Sequence, residues 1–193
     1  MWVMALPRSG PIRSEAARLA ILDAAVALFA ERGYDHLTIE GIARRAGVGK
    51  QTIYRWWPSK GDVLAEAILE GRLLGPQREI PDTGDPRADL AAWLIEIFTL
   101  RASADGEGLL RSLVAASAGS AETGRRLRSE ILAAPLMDCL SRAMGDAGGP
   151  RLAAAADALL GAVILRALSR EHFDSADMLA LVDVVVGPPP ALS

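Results

Sequence analysis

Cysteine is nearly missing from this chain: one, Cys139, stands in 193 residues. A single thiol closes no intrachain disulfide, which excludes a disulfide-stapled secreted scaffold and makes the cytoplasm the expected location. Histidine is almost as scarce. His36 and His172 have no metal-ligand spacing, and Cys139 has no basic partner near it in sequence, so neither a metal centre nor an activated thiol is assembled. No glycine-rich phosphate cradle is present and no cofactor is expected. With no titratable constellation, an enzyme is disfavoured. Long apolar runs are also lacking: no stretch spans a membrane without charge or proline, and the opening MWVMALPRSG has neither the charged start nor the apolar run of a leader, so no membrane partner is expected. Aromatic residues make up 5% of the chain against 51% hydrophobic, and much of the difference is Ala and Leu. That composition favours an all-α protein.

What is present is an uneven charge. The net charge is −3, yet residues 1–60 carry nine Lys or Arg against five Asp or Glu, while the remainder carries twelve against nineteen. A basic head attracts phosphate and an acidic body repels it, which orients such a molecule on a nucleic acid.

The head contains the stretch that organises the rest, Thr38 to Lys60, TIEGIARRAGVGKQTIYRWWPSK. Thr38 supplies an N-cap oxygen, and Ile39, Ile42 and Ala43 give a short helix an apolar stripe. Gly47 suits a left-handed exit and Val48 plugs the angle between two helices. The second helix is predicted from Gly49 or Lys50 to Trp57, ended by Pro58. Ile53 and Trp57 lie four apart and pack inward, which leaves Lys50, Gln51, Thr52, Tyr54, Arg55 and Trp56 facing out. A major groove admits one such helix: amides and basic groups read base edges, a Thr methyl touches thymine, and Tyr or Lys holds phosphate. An ordinary amphipathic helix with a solvated basic face has the same composition. The ordering of the whole stretch argues against that blander reading.

Gly47-Val48-Gly49-Lys50, then Thr52-Ile53-Tyr54, Trp57 and Pro58-Ser59-Lys60 resemble the signature of the TetR family of bacterial transcriptional regulators. The resemblance is strong from about Ser14 to Leu69. It implies an N-terminal three-helix helix-turn-helix domain joined by a connecting helix to a helical domain that dimerises and binds an effector. By the same resemblance Thr38 and Lys60 match backbone-contacting positions, Lys50 to Thr52 match base-contacting ones, Tyr54 touches both, and Trp56 lies on the phosphate side. Two departures stand out. Gly49 replaces a common Ser cap, and Glu40 lies where some members place an Arg on a base.

The remaining elements follow from capping and periodicity. A first helix is predicted from Ser14 to Arg32, with Leu22, Ala25, Leu28 and Phe29 inward. A fourth, capped by Ser59, is predicted to reach about Leu73 as the only rigid link between head and body. Gly75 to Asp85 reads as a linker, followed by helices from Pro86, over Gly106–Ala118, and from Ser120, the last kinked or split by Pro135. The Ala-rich segment Arg151–Ser169 is apolar on two sides, so one side packs within the body and the other on a second copy. Ser175 is predicted to cap the last helix. Boundaries are thus 1–13 a flexible arm, 14–60 the DNA-binding domain, 61–186 the effector-binding and dimerisation domain, and 187–193 a tail. Arg8 and Arg13 in the arm read as a loose basic tail, with a minor-groove contact as the alternative. The expected dimer interface is Leu160, Val163, Ile164 and Val182, and the expected ligand lining is Trp93, Ile97 and Met137. Partners are accordingly a double-stranded DNA operator, a second copy in a homodimer and a small apolar effector. The leading reading is a repressor released from a palindromic operator by that effector. A helical DNA-binding or scaffolding protein without a ligand stands as the alternative, because the same head serves both.

Overall fold

The computed structural model describes residues 14–73, 80–101, 104–145, 147–169 and 174–187. The arm with Arg8 and Arg13, residues 74–79 of the linker, His172 and the tail from 188 lie outside the described residues, as do the side chains of Ile97 and Phe98. Among the described residues all regular structure is helical. Four helices form the head: α1 (Glu15–Arg32), α2 (Ile39–Ala46), α3 (Lys50–Tyr54) and α4 (Lys60–Leu69). The body holds α5 (Pro86–Arg101), α6 (Ala104–Gly119), α7 (Ala121–Arg126), a π-helical stretch (Leu127–Ala133), α8 (Ala134–Met144), α9 (Gly149–Ser169) and α10 (Ser175–Val186).

Short hydroxyl side chains start the helices where the sequence predicts. Ser14, Thr38, Ser59 and Ser120 each accept a hydrogen bond from the backbone N–H three residues on, satisfying a donor the helix itself leaves open. At the last helix the cap is Asp174 rather than Ser175. Asp174 accepts from the Asp177 N–H while the Asp177 carboxylate accepts from the Asp174 N–H, a reciprocal box whose charges also suit a helix N-terminus.

Side chains gather in two apolar cores. The first joins Ile21, Leu22 and Leu28 of α1, Ile42 of α2, Ile53, Trp57, and Val63, Leu64 and Ile68 of α4 with Leu109 and Ala116 of α6 and Leu127 of the π stretch. The second joins Leu90, Trp93 and Leu94 of α5, Leu136 and Leu140 of α8, Leu159 and Val163 of α9, and Met178 and Val182 of α10. This partition differs from a boundary at residue 60. Gly61, Val63, Leu64, Ala65, Ala67 and Ile68 of α4 are all buried, so α4 is sealed between α1 and the body and packs with the head. It also stops at Leu69, short of Leu73, where Gly71 turns to φ +67. Nor is α4 the only rigid link, because α6 and the π stretch also pack on the head core.

Pro135 does not split its helix, which runs from Ala121 to Met144 through a π-helical stretch that accommodates the missing donor. The Ala134 N–H, the last donor before the proline, reaches five residues back to the Ser129 carbonyl, and Pro135 then falls in the first turn of α8, where a missing N–H costs little. Leu127 at one end of the π stretch lies in the first core and Ala133 at the other lies in the second, so one nearly continuous helix spans both.

The start of the body is tied down by polar contacts. Asp85 caps α5, its carboxylate accepting from the Arg87 and Ala88 N–H groups at 3.1 Å. Buried Asp89 accepts from the Thr83 N–H at 3.1 Å and hydroxyl at 2.7 Å. Arg142 of α8 donates to Asp82, and the Cys139 thiol donates to the Pro86 carbonyl at 3.3 Å. Burial pushes that thiol up to about 11, as expected of a small hydrophobe packed in the core.

Candidate nucleic-acid interface

The angle between α2 and α3 is set by a turn with no slack. Gly47 sits left-handed at φ 69, and the Val48 N–H donates to the Ala43 carbonyl at 3.0 Å, closing the end of α2. Half-buried Val48 packs on the head core. Ile53, fully buried, and Trp57 then hold α3 against that core from beneath. The α-helical part of α3 is shorter than predicted, ending at Tyr54. The Trp56 and Trp57 N–H groups both donate to the Ile53 carbonyl at 2.9 Å, a tightened last turn that accommodates Pro58, which disfavours helix at the residue before it.

Seated this way, α3 presents Lys50, Gln51, Tyr54 and Arg55 outward, with Thr52 half-buried at the margin. Tyr54 is 49% exposed, the one large hydrophobic side chain exposed among the described residues of α1 to α4. Trp56 is half-buried and stacks on Trp57 at 5.8 Å between ring centroids. Thr38 is exposed at the start of α2, its hydroxyl committed to the Gly41 N–H at 3.0 Å. Lys50 meets Glu40 at 2.9 Å, which brings the first turns of α2 and α3 together. The hydrogen bond between them lowers the Glu40 carboxyl and raises the Lys50 ammonium from their ordinary ranges, so both stay charged near neutral pH. Behind this surface, the Trp57 indole N–H donates to Glu66 of α4, whose other oxygen accepts from Arg18 of α1. Sequence spacing could not show this relay, since its members lie 48 residues apart.

Lys60 is set apart from the other candidates. Its ammonium donates to the Tyr34 carbonyl at 2.8 Å and the Leu37 carbonyl at 2.9 Å, and lies 4.0 Å from the centre of the Tyr34 ring.

The body candidates divide as well. Trp93 of α5 is buried and Met137 of α8 half-buried in the same apolar core, while the Ile97 side chain lies outside the described residues. Leu160, Val163 and Val182 are buried inside the single chain, packed in the second core, and only Ile164 is partly exposed. Side chains sealed by their own chain offer nothing to a partner. The large apolar side chains left open on α9 and α10 are Leu165 at 65%, Leu168, Leu179 and Val184 at 83% exposure. On α9 the exposed positions Ala154, Ala158, Gly161, Leu165 and Leu168 recur at alternating steps of four and three, a single stripe along one face. The sequence shows both apolar sides of α9, but which one faces inward depends on α5 and α8, which contribute to the second core from distant parts of the chain.

Among the described residues no single helix is long and apolar enough to cross a membrane. A family model described as bacterial regulatory proteins, tetR family, matches residues 21–67, and one described as tetracyclin repressor-like, C-terminal domain, matches residues 80–185. The HTH-type transcriptional regulator YdeS of Bacillus subtilis, uncharacterized, is 33% identical over 109 residues, 56% of this chain and 54% of that protein. The HTH-type transcriptional regulator AqdR of Rhodococcus erythropolis is 30% identical over 116 residues, 60% of this chain and 55% of its own length. The chain therefore spans about half the length of these curated relatives. Among solved structures, the TetR family transcription regulator SCO0332 is 30% identical with a TM-score of 0.65, covering 91% of this chain and 100% of that one. A TetR transcriptional regulator from Rhodococcus sp. RHA1, at 19% identity and TM-score 0.64 over 90% of this chain and 97% of that one, shares the fold. Two family models, the second alone spanning more than half the sequence, account for head and body together, and the chain belongs to the TetR family of bacterial regulatory proteins.

Proposed function

We propose that this protein is a homodimeric, sequence-specific DNA-binding transcriptional regulator, a repressor that leaves a palindromic operator when a small apolar ligand enters the body. The observation that carries the reading is the outward face of α3, where Lys50, Gln51, Thr52, Tyr54 and Arg55 stand over a helix held from beneath by Ile53 and Trp57. Gln51 and Thr52 read bases. Tyr54, Arg55, Trp56 and Thr38 position the backbone. Two such faces, related by a two-fold axis, require a two-fold operator. The open stripe on α9 and the exposed Leu179 and Val184 of α10 support the second copy as their cover. Selection from random double-stranded DNA tests the reading: enrichment of an inverted repeat supports it, and uniform recovery of all sequences overturns it.

For the ligand, support comes from Trp93 and Met137 sharing one apolar core with the α5 and α8 faces around them. A ligand that prefers a DNA-incompetent arrangement by about 3 kcal/mol weakens operator binding roughly a hundredfold, and DNA must weaken the ligand by the same factor. Titration of a panel of apolar compounds with and without operator reads that reciprocity. If none shows coupling, the ligand-free DNA-binding protein is the better description.

A further inference from the structure

We infer that Lys60 is a positioning residue of the reading head, tying the turn between α1 and α2 to the start of α4 beneath α6, and not a contact to the DNA backbone. The inference rests on the DNA-binding reading above. An ammonium has three N–H donors and no acceptor. Two of them are spent on the Tyr34 and Leu37 carbonyls, at 2.8 and 2.9 Å, and the charge lies 4.0 Å from the Tyr34 ring centre, within cation–π range. Little is left to offer a phosphate. Partial burial also pulls the Lys60 ammonium below its ordinary range, as expected of a charge turned into the protein.

What Lys60 holds decides where the reading helices sit. Leu37 precedes Thr38, the N-cap of α2, so the tie to the Leu37 carbonyl fixes the point from which α2 starts, and α3 follows through the closed turn at Gly47. The far side of the tie is the body. A Cβ at Gly108 of α6 would come within 2.7 Å of the Tyr34 ring, and a Cβ at Gly61, next to Lys60, within 2.2 Å of the Ser112 hydroxyl of α6. Two glycines at two close approaches let α6 bear directly on Tyr34, one partner of the lysine, and on Gly61, its neighbour in the chain.

The salt dependence of operator binding separates the two roles. A protein loses about 0.9 from the slope of log K against log salt for each phosphate contact removed. Lys60→Gln removes the charge and keeps an amide donor, so it is the variant of choice; its melting curve establishes that it is folded. The expected result is weaker operator binding, at least fivefold, with an unchanged slope. Gly108→Ala, which presses on the Tyr34 ring, is expected to weaken binding too, and the double variant to fall short of the product of the single effects because both act through one turn. A slope reduced by about one in Lys60→Gln overturns the inference and returns Lys60 to the DNA backbone. Unchanged affinity and slope overturn it as well. Failure of the wild-type protein to select any sequence would instead sink the DNA-binding reading itself.

Discussion

The head and the body close their cores in different ways. In the head, α1 to α4 pack with parts of α6 and the π stretch, and Tyr54, on the face that α3 turns outward, is the one large hydrophobic side chain exposed among the described residues of α1 to α4. The body buries Leu159, Leu160 and Val163 on one side of α9 and leaves Leu165 and Leu168 open on another, with Leu179 and Val184 open on α10. The head core, closed with side chains from α6 and the π stretch, leaves amide, hydroxyl and basic groups on the outer face of α3, the chemistry of a polar partner. The body is unfinished and presents aliphatic surface, the chemistry of an apolar one.

Charges placed on the two sides of α9 test this contrast most severely. Val163→Glu buries a carboxylate with no partner in the second core, a penalty of several kcal/mol, and is expected to unfold the body. Leu165→Glu, two residues on, puts the same charge on an exposed site. It is expected to leave the melting curve of the monomer near that of wild type while dissociating the dimer and lowering operator affinity by at least a hundredfold. Circular dichroism and sedimentation read the two effects separately. Equal behaviour of the two variants would mean that α9 does not have an inner and an outer face as the packing requires.

Within the head, Trp57→Ala comes next. It removes a buried indole from beneath α3 and leaves Glu66 without the indole donor, so a loss of about 3–5 kcal/mol is expected, with the body's transition unmoved if the cores melt apart and shifted with it if α6 couples them. Gln51→Ala changes no core. It should cost roughly 1–3 kcal/mol of operator affinity and relax preference at one base pair, with no change in melting temperature. A melting change without a specificity change would move Gln51 from reading to structure.

The parts of this architecture that were legible in the sequence are the ones governed by neighbours along the chain. Ser14, Thr38, Ser59 and Ser120 cap because the donor they satisfy is three residues away, and Ile53 and Trp57 seat α3 because four residues is one turn. The missed features are set by distant parts of the fold. Which side of α9 is buried is settled by α5 and α8, and Lys60 is claimed by carbonyls 23 and 26 residues before it. The apolar periodicity of α4 continues past Gly71 to Leu73, whereas the helix ends at Leu69 and the backbone turns at Gly71 to φ +67. The π stretch before Pro135 follows from a missing donor, which the sequence shows, yet its form as a wider helix instead of a sharp kink depends on side chains that must reach two cores at once.

The smallest expected effect lies where the body begins, and it asks whether charge or shape holds the linker on α5. Asp89 is buried, its carboxylate accepting two hydrogen bonds from Thr83, with Arg142 at 3.8 Å. Those hydrogen bonds, chiefly the one from the Thr83 hydroxyl, hold its carboxyl below the usual aspartate range. A carboxyl whose folded value is depressed stabilises the fold at pH above its unfolded value and loses that contribution as pH falls through the folded value. Wild-type stability should therefore decline on the acid side of the ordinary aspartate range through this group. Asp89→Asn keeps an oxygen for Thr83 but removes the charge facing Arg142, so it should be slightly less stable than wild type at neutral pH, and the gap should close as the pH is lowered. Denaturant unfolding across a pH series measures it. A gap that stays constant into acid would show that the geometry of the Thr83 contacts, and not the carboxylate charge, fastens the linker to the body.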